Sequence, residues 1–216
     1  MPAQALVLDF GGVISRTLFE THAQTEAALG LAAGTLMWQG PFNPAQDTLW
    51  QAMQRDEISE RDYWLTRTRE VGELLGKNWT TMEDFVRAAR SQNVAEVIRP
   101  EALEAIAKVK QAGGKLAILS NELDLFYGSD FRAHLPFLAA FDVIIDATYT
   151  GILKPRAEAY HLVLAALKLP AAACVFVDDQ LRNIQGAEAV GMQTVHFDVQ
   201  QPATSYQQAL RAFDLA

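Results

Sequence analysis

Five short apolar runs punctuate the chain. VLDFGGVIS (7–15) opens the series, and KLAILSN (115–121), FDVIIDA (141–147), ACVFVDD (173–179) and QTVHF (193–197) follow. Most are apolar at consecutive positions rather than alternating, which predicts strands buried on both faces, as in a parallel sheet. Several end in polar residues: Asp9, then Ser120 and Asn121, then Asp178 and Asp179. Helical patterns lie between them. PEALEAIAKVKQAGG (100–114) spaces Leu103, Ile106 and Val109 for one helix face, starts at Pro100 and stops on glycines. PRAEAYHLVLAALKL (155–169) behaves likewise, and LRNIQGAEAVG (181–191) ends at Gly191. Strands alternating with helices imply right-handed βαβ units and an α/β, doubly wound parallel sheet. Ligands of such sheets bind beyond the carboxyl ends of the strands, so these polar strand ends are expected to gather at one place.

Residues 16–91 carry little strand signal and read as mostly helical, for example in AQTEAALGL and ISERDYWLTRTREVGELLG. They hold all four tryptophans: Trp38, Trp50, Trp64 and Trp79. The expectation is a core domain of 1–15 and 92–216 interrupted by a helical insertion, with the tryptophans packed inside a small bundle. The alternative is that one or two of them line a substrate pocket. Cys174 precedes a strand and reads as a small core residue.

Charge and composition narrow the partners. The 216 residues are half hydrophobic and carry a net charge of −8, with a pI near 5.0. An acidic surface argues against nucleic acid and anionic membranes as main partners, yet leaves room for one small anionic ligand. A single cysteine allows neither an intrachain disulfide nor a cysteine metal cluster. The N-terminus reads as a first strand with no secretory signal, and no apolar run reaches transmembrane length. A soluble cytoplasmic protein is expected, as a monomer or homodimer.

The chemistry sits at the strand ends. Asp9 is a candidate nucleophile, Ser120 a hydroxyl donor, Lys154 of GILKP a cation before a helix, and Asp178–Asp179 a pair of acids. Asp179 suits a hard cation such as Mg²⁺, which prefers oxygen ligands. A metal and Lys154 would neutralise a phosphoryl group, and Ser120 with the backbone N–H groups after Asp9 would donate to its oxygens. Asp9 could then attack in line and form an aspartyl-phosphate. Each element alone is weak; four in order, each at the right kind of boundary, are not.

LDFGGV, LSN, KP-R-A-E-AY and VDD-Q-L-R-N-IQGAEAVGM resemble the four motifs of the haloacid dehalogenase superfamily. The likeness covers essentially the whole core. The 16–91 insertion falls where subfamily I proteins carry a helical cap domain. FGGV after the nucleophile and DEIS in the insertion resemble the branch holding epoxide-hydrolase N-terminal phosphatase domains and sugar-1-phosphate phosphatases. The resemblance implies a Mg²⁺-dependent phosphatase acting on a small phosphorylated metabolite. It makes Asp9 nucleophile and metal ligand, with the Gly11 carbonyl on the metal and Gly11 and Gly12 at the phosphoryl group. Ser120 would bind that group with Asn121 beside it, and Lys154 would stabilise Asp9 and the transferred group. Asp179 would hold Mg²⁺, with Asp178 as a further ligand or just behind it, and Asn183 would support them. Glu158 and Tyr160 match recurring positions without a catalytic role, and His134, His161 and His196 receive none.

Gly11 departs from the pattern. Most phosphatases of this superfamily place an aspartate there to protonate the leaving oxygen and activate water, a service worth about a hundredfold to ten-thousandfold. Three readings follow. A phosphatase would act on a leaving group that needs little protonation, such as an anomeric hydroxyl or an acyl phosphate, or would draw a proton from His22, Glu122 or a metal-ordered water. A dehalogenase or phosphonatase also lacks that acid; the first uses no metal, against Asp178–Asp179, and the second needs a cap lysine, here Lys77. A catalytically weak binding or regulatory module would keep the anion pocket alone.

Overall fold

The computed structural model describes residues 2–89 and 94–215. Five strands, β1 (Ala5–Leu8), β2 (Lys115–Ser120), β3 (Val143–Asp146), β4 (Cys174–Asp178) and β5 (Gln193–His196), form one sheet in the order β3-β2-β1-β4-β5. All four pairings are parallel. The five runs predicted from hydropathy are these five strands. Alternate residues point to opposite faces. Ala5, Val7, Ala117, Leu119, Cys174 and Phe176 bury one face against a helix and its neighbours, while Leu6, Leu8, Leu116, Ile118, Val175 and Val177 are as fully buried on the other. A strand buried on both sides cannot alternate apolar with polar, which is why the runs are continuous.

The helices, in chain order, are α1 (His22–Leu29), α2 (Thr48–Gln54), α3 (Glu60–Leu74), α4 (Met82–Ala89), α5 (Pro100–Gln111), α6 (Leu123–Tyr127), α7 (Ala147–Thr150), α8 (Ala157–Leu167), α9 (Leu181–Ala189) and α10 (Pro202–Arg211). The predicted helices at 100–114, 155–169 and 181–191 are α5, α8 and α9. The α8 helix packs on β2 and β3, and α9 on β4 and β5. The sequence reading did not include α10. It starts on Pro202, buries Tyr206, Ala209 and Leu210 and packs on α5 and β5.

The chain divides into two compact units. One comprises Met1–Arg16, Ala95–Leu123 and Arg132–Ala216 and holds the sheet; the other comprises Thr17–Val94 and Asp124–Phe131 and is helical. In the helical unit Trp38, Trp50 and Trp64 are buried around Phe19, whose ring lies 5.4–5.5 Å from each of theirs. They pack around this ring, and Trp38 also lines a pocket with Asp47, Arg67 and Glu70. Phe126 of the 124–131 segment lies 5.2 Å from Trp64. Ser59 of DEIS opens α3 with a reciprocal capping pair to Asp62. No helix among the described residues is long and apolar enough to cross a membrane.

Candidate active site

Asp9 follows directly on β1, the middle strand, so the ends of β2 and β4 flank it. Its backbone N–H donates to the Val177 carbonyl at 2.9 Å, continuing the strand pairing by one residue. β4 closes with Asp178, which is fully buried. Between them stands Lys154, from the segment joining α7 to α8. Its Nζ donates to Asp9 Oδ1 at 2.8 Å and to Asp178 Oδ2 at 2.6 Å, and its side chain is 1 % exposed. Burial alone would lower the pKa of this amine. The Asp178 and Asp9 carboxylates outweigh burial and raise its pKa above the ordinary lysine value, so Lys154 is a fixed cation.

Asp178 is saturated. Its Oδ1 accepts from the Gln180 N–H at 2.8 Å and from Asn183 Nδ2 at 3.1 Å; its Oδ2 accepts from Lys154 and, at 3.1 Å, from the same Asn183 nitrogen. That uses the acceptor capacity of a carboxylate. Asn183 is itself fully buried, and its main-chain carbonyl accepts the Tyr160 hydroxyl at 2.7 Å. Asn121 turns its amide on the main chain of Lys154: Oδ1 accepts the Lys154 N–H at 2.7 Å and Nδ2 donates to the Lys154 carbonyl at 3.2 Å. Ser120, buried at the end of β2, accepts the Glu122 N–H on Oγ at 3.4 Å.

The loop after Asp9 is pinned at successive carbonyls. Buried Arg99 donates from Nε to Gly12 at 3.1 Å, the Tyr206 hydroxyl donates to Val13 at 3.1 Å, and the Arg99 N–H donates to Ile14 at 2.9 Å. The two glycines of FGGV differ. Gly12 has φ +83° and faces Asp179 so closely that a Cβ would lie 2.6 Å from Oδ2. Gly11 has open space where its Cβ would be, with nothing within 4 Å.

One carboxylate oxygen from each of Asp9, Asp178 and Asp179 lies within 4.8 Å of the others. All three donors are hard carboxylate oxygens, the set that Mg²⁺ takes. The residues therefore fit a divalent cation. Asp178 spends its oxygens on Lys154, Asn183 and Gln180.

Asp9, Asp178, Lys154, Asn121 and Asn183 thus share one hydrogen-bonded network, with an Asp179 carboxylate oxygen within 4.8 Å of those of Asp9 and Asp178. The other candidates stand differently. His22 and Lys77 belong to the helical unit. His22 packs 4.4 Å from Trp38, and burial lowers its pKa. Lys77 is exposed, its Nζ 5.4 Å from the Trp79 ring. Glu122 is buried beside Ser120. Sequence reasoning gave no role to His196, whose Nε2 lies 3.1 Å from the Asp179 carbonyl, and did not single out Arg99 or Tyr206. All three reach the site across long stretches of chain, which no local pattern signals.

A family model described as haloacid dehalogenase-like hydrolase matches residues 3–191. Among curated proteins, the mouse (Mus musculus) Acyl-CoA dehydrogenase family member 10 is 24% identical over 98% of this chain, which spans only 19% of that protein. Sesquiterpene phosphatase astK of Aspergillus oryzae is 25% identical over 89% of each. Among solved structures, the HAD-hydrolase YfnB of Bacillus subtilis, bound to magnesium, superposes with a TM-score of 0.70 over 99% of this chain and 100% of that one, at 16% identity. This last is a likeness of fold.

Proposed function

From a chain that belongs to the haloacid dehalogenase-like hydrolases, we propose a Mg²⁺-dependent phosphatase that hydrolyses a small phosphorylated metabolite through an aspartyl-phosphate on Asp9. The observation that carries this reading is Lys154, buried between Asp9 and Asp178 at 2.8 and 2.6 Å. A lysine held this way orients one carboxylate for attack and presents a positive charge where an anion's charge must be met. In this proposal Asp9 and Asp179 hold the cation together with the Gly11 carbonyl. The cation, when bound, supplies charge neutralisation for the phosphoryl oxygens.

The chain's own residues do the rest. The Asp9 carboxylate attacks phosphorus, the bond to the leaving oxygen breaks, and that oxygen departs with the electron pair. Ser120 and the N–H groups of the Gly11–Gly12 turn donate to the equatorial oxygens, and Lys154 balances charge as it spreads over them. Water then attacks the phosphorus of the aspartyl-phosphate, freeing phosphate and restoring Asp9. Asp178 and Asn183 hold Lys154 in place. The helical unit is, in this reading, the cap that selects the substrate.

Gly11 can neither give nor take a proton, so the preferred substrate carries a leaving group that departs with little protonation, an anomeric hydroxyl or an acyl phosphate. The acid cluster speaks against metal-free dehalogenase chemistry. Exposed Lys77 lacks the buried setting that would lower an amine's pKa for imine formation. The deciding experiment is phosphate release from sugar-1-phosphates, sugar-6-phosphates, nucleotides and an activated aryl or acyl phosphate, with and without Mg²⁺, beside Asp9→Asn. Metal-dependent release that the variant loses supports the reading. Absence of release from the activated esters overturns it and favours a binding module.

A further inference from the structure

We infer that Asn121 is a positioning residue for Lys154, acting through that lysine's main chain rather than on the substrate. For its chemistry the inference rests on the phosphatase reading above. The resemblance of LSN to a family motif implies work at the phosphoryl group for Asn121. Its side chain is engaged elsewhere, with both polar ends on one residue: Oδ1 accepts the Lys154 N–H at 2.7 Å and Nδ2 donates to the Lys154 carbonyl at 3.2 Å. Both bonds are buried, and Asn121 is 4 % exposed. A primary amide that accepts from and donates to the same residue takes the place of a neighbouring strand.

Lys154 needs such a substitute. It lies between α7 and α8 in a segment, 151–156, that belongs to neither helix nor strand. Its buried N–H and carbonyl therefore have no ladder to join, and buried main-chain groups require partners. Its side chain is long and flexible, yet its Nζ must sit between two carboxylates. Fixing the far end with Asp9 and Asp178 orients the amine only if the near end is fixed too, and Asn121 fixes it. The next residue, Pro155, is closely approached by a second element. Gly186 of α9 comes so close that a Cβ there would lie 2.6 Å from the Pro155 carbonyl oxygen and 2.8 Å from the Tyr160 hydroxyl. The lysine segment thus meets an amide from the end of β2 and a bare turn of α9.

Two measurements separate positioning from substrate binding. With p-nitrophenyl phosphate and Mg²⁺, Asn121→Ala is expected to lower kcat by about tenfold to a hundredfold, the cost of a small misplacement of a reacting group, while KM and the inhibition constant of inorganic phosphate stay within about threefold. A KM and a phosphate inhibition constant that both rise tenfold or more, with kcat unchanged, would overturn the inference and make Asn121 a phosphate contact. If Asn121→Ala does not fold, Asn121→Leu, which keeps the volume and removes both bonds, serves for both measurements. The second measurement needs no turnover. Hydrogen–deuterium exchange read by mass spectrometry should find the Lys154 main-chain N–H protected in the natural protein and exchanging readily in the variant. Equal protection in both would also overturn the inference. A natural protein that fails to hydrolyse the ester defeats the phosphatase reading, and the exchange still decides the role of Asn121.

Discussion

The Asp179 carboxylate rests on the bare face of Gly12, where a Cβ would lie 2.6 Å from Oδ2 and 2.8 Å from Cγ. Gly12 also has φ +83°, which a side chain tolerates poorly. Gly12→Ala should therefore cost roughly 1–3 kcal/mol of backbone strain and displace Asp179. The expected outcome is a steep rise in the Mg²⁺ concentration giving half-maximal phosphate release, matched by loss of the Mg²⁺-induced rise in Tm. Unchanged metal dependence would remove Asp179 from the ligand set. Asp179→Ala should show the same loss without the strain.

Asp9→Asn keeps the size of the side chain and deletes its charge. Lys154 retains Asp178, so the fold should persist with a Tm near that of the natural protein. Turnover should fall to background, because an amide does not attack phosphorus. Residual phosphate release at more than about a hundredth of the natural rate would show that another group performs the attack.

Lys154→Met removes the one cation between two carboxylates and leaves Asp178 buried without it. Breaking a buried pair from one side typically costs about 3–5 kcal/mol, and adding Asp178→Asn should recover much of it. Denaturant melts of the single and double variants measure this directly. The pair also sets a pH dependence. The folded pKa of Lys154 is raised above the ordinary 10.5, so its stabilisation is complete below that value and is lost as pH climbs through the folded pKa. Melts taken above about pH 10.5 should therefore narrow the gap between the natural protein and Lys154→Met. A constant gap between them would show that Lys154 does not titrate with unfolding.

Gly11→Asp tests the vacant acid position. A Cβ at Gly11 would meet nothing within 4 Å, so the position is open to a side chain at its root. Hydrolysis of alkyl phosphates, whose leaving groups need a proton, should rise by about tenfold or more, within the range general acid catalysis supplies. Hydrolysis of an activated aryl phosphate should change little. Equal effects on both would indicate that proton transfer is not what Gly11 lacks.

The strands and most of the site were readable because a parallel sheet imposes a simple rule. Continuous apolar runs end where the chain leaves the core, and Asp9, Ser120 and Asp178 mark those ends. Lys154 was readable from its place before a helix. What the sequence hid was who touches whom. The Arg99 bond to Gly12 spans 87 residues and the Tyr206 bond to Val13 spans 193, so neither leaves a local trace. Gly11 and Gly12 are the same letter, and only the φ of Gly12 and its contact with Asp179 separate an open position from a filled one. The α10 helix did have a signal, Pro202 followed by Tyr206, Ala209 and Leu210 on one face, diluted by the polar residues around it.

Asp9 sits at the end of the middle strand, and the bond that orients it comes from 145 residues away. Its other companions arrive on the strands at either side. Ser120, Asn121, Lys154, Asp178, Asp179 and Asn183 lie within residues 120–183, and Asp9 joins them from the far end of the chain. During refolding, hydrophobic collapse and helix formation can proceed before they meet, since these long loops close only when the sheet is complete. Under the proposed function, recovery of cation binding would date the final assembly of the sheet, and a ligand of this site would act against global unfolding of the sheet unit rather than against local fraying.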